Sequence, residues 1–307
     1  MNPKPIALLC SDLHLQLECP VARDEPSWKE VMSRSLNELS VLANRYACPI
    51  ICAGDIFNHW KAPPELINFA LAQLPEMYAV PGQHDLPLHN YEDLHKSAYE
   101  TLVRADKIHT LVPGVPCQVP THGSPGLVLH GFPWGYPPKP RGPQKAGFIN
   151  VAVVHSYIWK SGCGFPGAQV GELIAAYHPS LVGYDVALFG DNHHPFLQQL
   201  GSCLVFNHGA FFLRKSDERR LKPEVGVLMS DGSIHLRSLD STPPNWFPEP
   251  EAHEQENQRT MDELVRELQE LGATGLDFTE AVKTYLQSHR VPEDVQKVIL
   301  HLLDDGT

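Results

Sequence analysis

Short apolar runs alternate with longer amphipathic stretches along the first three quarters of the chain. Residues 5–10 (Pro-Ile-Ala-Leu-Leu-Cys) read as a short buried strand that stops at Ser11-Asp12. In residues 27–46, Trp28, Val31, Met32, Leu36, Leu39 and Leu42 recur near the helical period, which predicts a helix. Residues 48–53 predict a second strand ending at Gly54-Asp55. Pro63 and Pro64 suit the first turn of a helix running to about Leu74. Residues 77–81 predict a third strand, ending at Gly82-Gln83-His84-Asp85, and Asn90 is an N-cap candidate for a helix over 91–105. Further strands are expected at 127–131, 150–154 and 185–189, the last two ending at His155 and Gly190-Asp191, with a helix at 170–177. Residues 203–207, 225–229 and 234–238 look like a closing antiparallel meander.

Strands alternating with helices predict an α/β architecture. In such folds the carboxyl ends of strands carry the sites. Five predicted strands end in a side chain able to bind a metal: Asp12, Asp55, Gln83, His155 and Asp191. Residues 241–252 hold four prolines and read as a linker between a main domain (1–240) and a helical C-terminal segment (253–307). That segment carries three apolar stripes, at 261–271, 278–286 and 295–303. Some 55 residues make a marginal core alone, so these helices are expected to pack on the main domain or on a partner.

The 307 residues are 42% hydrophobic and 20% charged, a globular composition that excludes general disorder. No run of about 18 apolar residues occurs, so a membrane span is not expected. The apolar stretch near the start is too short for a secretory signal. The seven cysteines, an odd number without a CxxC pair, suggest reduced thiols and a cytoplasmic protein. A net charge of −12 argues against nucleic acid, but residues 253–307 alone hold 12 acidic and 5 basic residues.

The candidate chemistry lies in five short blocks. Asp12-Leu13-His14 puts two side chains on one side of an extended segment, within reach of one cation. Gly54-Asp55 adds a carboxylate at a strand end. Gln83-His84-Asp85 supplies an amide, an imidazole and a carboxylate in succession. His155 and Asp191-Asn192-His193 complete the set. Hard oxygens mixed with imidazoles suit Mn²⁺, Mg²⁺ or Fe²⁺, with Zn²⁺ also accommodated. Two such ions about 3.5–4 Å apart can share a carboxylate and hold an in-line displacement.

These blocks resemble those of the calcineurin-like metallophosphoesterase superfamily. Ser-Asp-Leu-His-Leu, Gly-Asp-Ile-Phe and Pro-Gly-Gln-His-Asp are most similar to the SbcD-type DNA-repair nucleases and their phage-encoded relatives. Asn207-His208-Gly209-Ala210, then Arg214, Pro223, Val225 and Asp231-Gly232, resemble a later block of that branch. The resemblance spans residues 5–240. It implies a four-layer sandwich of two mixed β-sheets flanked by helices, and a Mn²⁺-dependent DNA nuclease. Asp12, His14 and His193 would hold the first metal, Asp55 would bridge, and Gln83, His155 and Asp191 would hold the second. His84 would protonate the leaving oxygen, with Asp85 orienting it.

Two departures stand out, since the family usually has Asn at position 83 and His at position 191. Three carboxylates would then face two dications, a harder site that favours Mn²⁺ over Zn²⁺. The resemblance also implies DNA as substrate and a coiled-coil ATPase of SbcC type as partner, docking on the C-terminal helices. Family nucleases are commonly dimers, so a second copy of the chain is a further expected partner.

Trp134-Gly135-Tyr136 leads a Pro-rich stretch with Lys139, Arg141 and Lys145, and residues 214–222 carry five basic against two acidic residues. Both could follow a phosphate backbone, with Trp134 or Tyr136 stacking on bases. Trp159, Lys160 and Arg214 are candidate substrate contacts. Two alternatives stay open: a phosphoesterase for nucleotides or cyclic nucleotides, and a non-catalytic subunit with a decayed metal site.

Overall fold

The computed structural model describes residues 3–121, 125–142, 147–162, 169–239 and 243–248. The first third alternates β1 (Pro5–Cys10), α1 (Trp28–Tyr46), β2 (Ile50–Cys52), α2 (Pro64–Gln73), β3 (Met77–Ala79), α3 (Ala98–Arg104) and β4 (Ile108–Thr110). There follow β5 (Cys117–Val119), β6 (Gly126–Phe132), β7 (Phe148–His155), β8 (Val186–Gly190), β9 (Phe196–Leu200), β10 (Cys203–Asn207), β11 (Glu224–Met229) and β12 (Ile234–Ser238). They form two six-stranded sheets, ordered β12-β11-β1-β2-β3-β4 and β5-β6-β7-β8-β10-β9. Both are mixed. β1 to β4 run parallel, and antiparallel β11 and β12 extend the edge beside β1. β6, β7, β8 and β10 run parallel between antiparallel β5 and β9.

The central strands are buried on both faces, which is why their sequences are continuous apolar runs. Leu9, Ile51 and Val80 from the first sheet meet Leu129, Val153 and Leu188 from the second in one core between the sheets. The outer face of the first sheet packs on α1 through Met32, Leu36 and Leu39, and on α2 and α3. α1 begins at Ser27, whose side chain accepts the Glu30 N–H, and ends at Ala47 with φ 49°. The outer face of the second sheet is covered by Ile174, Leu181 and Tyr184. This is the expected sandwich, and it sets the C-terminal ends of β1, β2, β7 and β8 together.

Three of the expected elements take another form, and β4, β5 and β9 were not expected. The helix expected over 91–105 is split: Tyr91–Lys96 is a 3₁₀ stretch, and Ser97 caps a separate α3 by accepting the Glu100 N–H. The helix expected at 170–177 is a pair of 3₁₀ turns, Val170–Glu172 and Ile174–Leu181. Pro179 there has no N–H to extend an α-helical ladder. The meander is not one unit. β10 lies parallel to β8 in the second sheet, while β11 and β12 close the first.

Residues up to Phe247 gather into one compact unit. Part of the stretch expected as linker is pinned to it. The Asn245 carbonyl accepts the Asp24 N–H at 3.0 Å, and the Phe247 N–H donates to Ala22 at 3.2 Å. The Arg23 guanidinium lies between the rings of Trp28 and Trp246, at 5.2 and 4.9 Å. The three apolar stripes expected in 253–307, together with Cys163 and Lys145, lie outside the described residues. No helix among the described residues is long and apolar enough to cross a membrane.

Candidate metal centre

The candidate ligands sit where strands stop and the backbone turns sharply. Asp12, His14, Asp55 and Asp191 all have positive φ, at 55°, 45°, 53° and 86°. Asp and His tolerate this left-handed region better than most side chains, at a cost of about 1–3 kcal/mol each. Their partners leave no space. A Cβ on Gly82 would lie 2.1 Å from Asp55 Oδ1, and one on Gly54 would lie 2.4 Å from His155 Nδ1. Glycine at these positions lets three chain segments converge on one carboxylate.

Two clusters share that carboxylate. On one side, His14 Nε2 is 3.1 Å from His193 Nε2. Asp12 Oδ1 lies 3.6 Å from the first and 3.9 Å from the second. On the other side, His155 Nε2 is 2.6 Å from Gln83 Oε1, and Gln83 Nε2 donates to Asp191 Oδ1 at 2.7 Å. Between them stands Asp55 Oδ2, 3.6 Å from His14 Nε2 and 3.5 Å from His155 Nε2. This oxygen is buried and has no hydrogen-bond partner. A buried carboxylate oxygen without a donor is costly, and a cation on either side removes that cost. The donor set fits divalent ions, with Asp12, His14 and His193 as one group of ligands and Asp12, Asp55 and His155 as another. All seven ligand residues expected from the sequence meet here.

The electrostatics differ across the centre. Burial, together with the nearby Arg214 cation, outweighs the Asp12 and Asp55 carboxylates and brings His14 down to about 4. For His155 burial acts the same way, but Asp55, Asp12 and Asp191 overcome it and hold the imidazole up to about 10. Burial, reinforced by Asp12 and Asp55, raises Asp191. Asp12 is held well below the usual carboxylate range, because its histidine neighbours outweigh its burial.

His84 lies against this cluster, its ring 5.0 Å from that of His14 in an edge-on contact. The expectation that Asp85 orients His84 is corrected by the geometry. His84 Nδ1 faces the Asn58 carbonyl at 2.9 Å. The Asp85 carboxylate instead accepts the N–H groups of Ile56, Phe57 and Gly82, at 3.2, 3.0 and 3.0 Å. Asp85 is thus a clasp for the backbone around Asp55. Burial and the Asp55 charge push it up to about 7 against those three donors.

The other candidates separate clearly. Arg214 donates through Nη1 to Asn58 Oδ1 at 2.8 Å and to Gln16 Oε1 at 3.1 Å, so it stands beside the carbonyl that fixes His84. Trp159 is tied elsewhere: its indole N–H donates to Gln169 and its backbone bridges to Leu173. Lys160 is exposed on the same stretch, and no described hydrogen bond links either residue to the cluster. His194 is exposed and pairs with Asp217 at 3.1 Å, leaving His193 as the imidazole of the centre. His208 is buried between the carbonyls of Gly209 and Glu224, at 2.8 and 2.9 Å.

Glu218 was not foreseen. Fully buried, it accepts His193 Nδ1–H at 2.7 Å and the N–H groups of Arg214 and Lys215 at 2.5 and 3.0 Å. Burial alone would raise its pKa, but the His193 contact and these donors lower it. In sequence it sits within Arg-Lys-Ser-Asp-Glu-Arg-Arg, which reads as a solvated charge run, and no spacing marks it out.

Residues 7–195 match the family described as calcineurin-like phosphoesterase. No curated protein matches the chain. Among solved structures, an archaeal phosphodiesterase is 12% identical with a TM-score of 0.38, covering 76% of this chain and 99% of that one. A Staphylococcus aureus protein described as a 5′-nucleotidase, in complex with α-ketoglutarate, is 13% identical with a TM-score of 0.45 and covers 83% of this chain. The chain spans 58% of that structure's length.

Proposed function

The chain belongs to the calcineurin-like phosphoesterases, metal-dependent hydrolases, and we propose that within them it is a two-metal phosphodiesterase of SbcD type that cuts DNA. The observation that carries the two-metal reading is Asp55 Oδ2, buried, without a donor, and within 3.6 Å of an imidazole from each cluster. Asp12, His14 and His193 would hold one ion and Gln83, His155 and Asp191 the other, with Asp55 between the two sets. When bound, the ions supply an activated water and neutralise charge on the phosphoryl oxygens. Mn²⁺ suits three carboxylates, an amide and imidazoles best.

The protein's own groups do the rest. His84, fixed at Nδ1 by the Asn58 carbonyl, presents Nε2 to the cleft and delivers the proton that the leaving oxygen needs. Arg214, held by Asn58 and Gln16, places a cation beside that histidine where a phosphate oxygen arrives. DNA as the substrate is supported by the turn that follows. Lys215, Arg220 and Lys222 are exposed on it, and buried Glu218 joins this turn to His193. A polyanion following the turn would therefore be led to the metal centre.

The test is Mn²⁺-dependent degradation of end-labelled single- and double-stranded DNA, with bis-p-nitrophenyl phosphate as a plain diester and His84→Ala as control. DNA cleavage lost in the variant supports the reading. Turnover of the small diester with intact DNA overturns the DNA assignment.

A further inference from the structure

A cavity of about 220 Å³ opens on the outer face of β6. Its walls include His130, Phe132, Tyr136, Lys139, Tyr184 and Val115. One loop connects it to the site. The Trp134 N–H donates to the Pro81 carbonyl, one residue before the Gly82-Gln83 block, and the Trp134 ring lies 6.5 Å from that of His155. Two residues further on, at most about 7 Å along the chain, Tyr136 stands at the cavity and meets Tyr91 edge-on at 5.1 Å.

We propose that this cavity receives the nucleobase adjoining the scissile phosphate, so that the enzyme prefers nucleoside diesters over simple alkyl diesters. The proposal rests on the phosphodiesterase reading above and names a subsite for it. Size argues first. The volume falls below the roughly 300–1,000 Å³ that hold drug-sized ligands, and so suits one flat ring system without its sugar and phosphate. The lining argues next. Aromatic rings and prolines dominate it, and Lys139 is the single cation among its lining residues, so the walls suit a π-face better than a phosphate.

One wall is held in place by the fold. His130 lies on it with its Nε2 buried away from solvent. The ring of His130 is held edge-on to Tyr184 at 5.3 Å, and the Tyr184 hydroxyl is already spent on the Lys139 carbonyl at 3.0 Å. Burial and the Arg141 charge lower the pKa of His130 against a raising contact with the Asn150 side chain, which favours the neutral ring.

The experiment compares two esters with the same leaving group: thymidine 5′-(p-nitrophenyl phosphate) and methyl p-nitrophenyl phosphate, both with Mn²⁺. Val115→Trp fills the cavity mouth from an exposed position. It is expected to raise KM for the nucleoside ester about tenfold with kcat unchanged, and to leave the methyl ester unaffected. Equal behaviour of the two esters, or no change on filling the cavity, overturns the subsite while the phosphodiesterase reading stands. If neither ester is cleaved, that reading fails, and the cavity is tested alone. Saturation-transfer NMR with 2′-deoxyadenosine then supports it if the wild-type signal is lost in Val115→Trp, and overturns it if the signal is absent or equal in both. Tyr136→Ala, also at an exposed position, should reproduce the KM effect without filling anything.

Discussion

On one side of Asp55 the imidazole of His193 is aimed by a buried carboxylate, Glu218; on the other, the imidazole of His155 is aimed by a backbone carbonyl, Ala53, at 2.5 Å. Glu218 belongs to a surface turn whose neighbours are the exposed cations, while Ala53 directly follows β2 in the middle of the first sheet. The first half of the centre is therefore tied to a surface turn. The second is built into the strands, closed by Gln83 and Asp191 holding one another. An imidazole donating to a carboxylate is a stronger ligand than one donating to a carbonyl, because the anion raises its basicity. The two ions should therefore be held with different affinities and respond to different substitutions.

The largest effect should come from the residue common to both halves. Asp55→Asn is expected to lower kcat on bis-p-nitrophenyl phosphate by roughly 10³-fold and to reduce bound metal in both halves. A drop of only tenfold, with metal content unchanged, would show that Asp55 is not shared. Next comes His84, which belongs to neither half. His84→Ala should cost about 10²–10⁴-fold on a diester with an alkoxide leaving group. It should cost much less when p-nitrophenolate leaves, since that anion needs no proton. Equal losses on both would remove the proton-delivery role.

The comparison itself is sharpened by Glu218→Gln, which keeps the shape and removes the charge. It should weaken one metal by about 10–100-fold and spare the other, as read by titration of metal-free protein with Mn²⁺ under calorimetry. Uniform weakening would mean the halves are not separable.

The smallest effect is the pH dependence of loading. His155, raised to about 10 in the metal-free protein, carries a proton at neutral pH that an incoming ion must displace. His14, lowered to about 4, carries none. Affinity in the second half should thus rise about tenfold per pH unit between pH 7 and 9. The same group sets a sign for stability. A raised imidazole stabilises the metal-free fold fully below about 6.5, and that contribution is lost as pH rises through about 10. Thermal melts of metal-free protein at pH 6 and pH 10 measure it.

Much of this was legible in the sequence, for identifiable reasons. β1 and β8 are buried apolar runs that stop just before their ligands, and β7 is apolar from Val151 to Val154 and ends at His155. The ligands could be read because a strand end fixes where the next polar side chain goes. β9 could not, since Phe-Leu-Gln-Gln-Leu is a half-exposed edge strand without a clear apolar face. Glu218 escaped because what makes it functional is tertiary: His193, 25 positions earlier in the chain, folds over it. Asp85 was misread because adjacency in sequence suggested a partnership with His84. In the fold the two side chains point to different neighbours, Asn58 for one and the amides around Asp55 for the other.

The left-handed backbone at Asp12, His14, Asp55 and Asp191 has a consequence for how this protein can evolve. At these four positions the main chain vetoes most side chains before chemistry is consulted. Asn, Asp, His and Gly enter that conformation readily, whereas β-branched and bulky residues strain it. The mutational neighbourhood of the centre is therefore narrow and lopsided. A lineage can exchange carboxylate for amide or imidazole at these positions at little backbone cost, whereas β-branched replacements carry added strain. A saturation library scored only for folding, in chelator, would show that bias with no selection for activity at all.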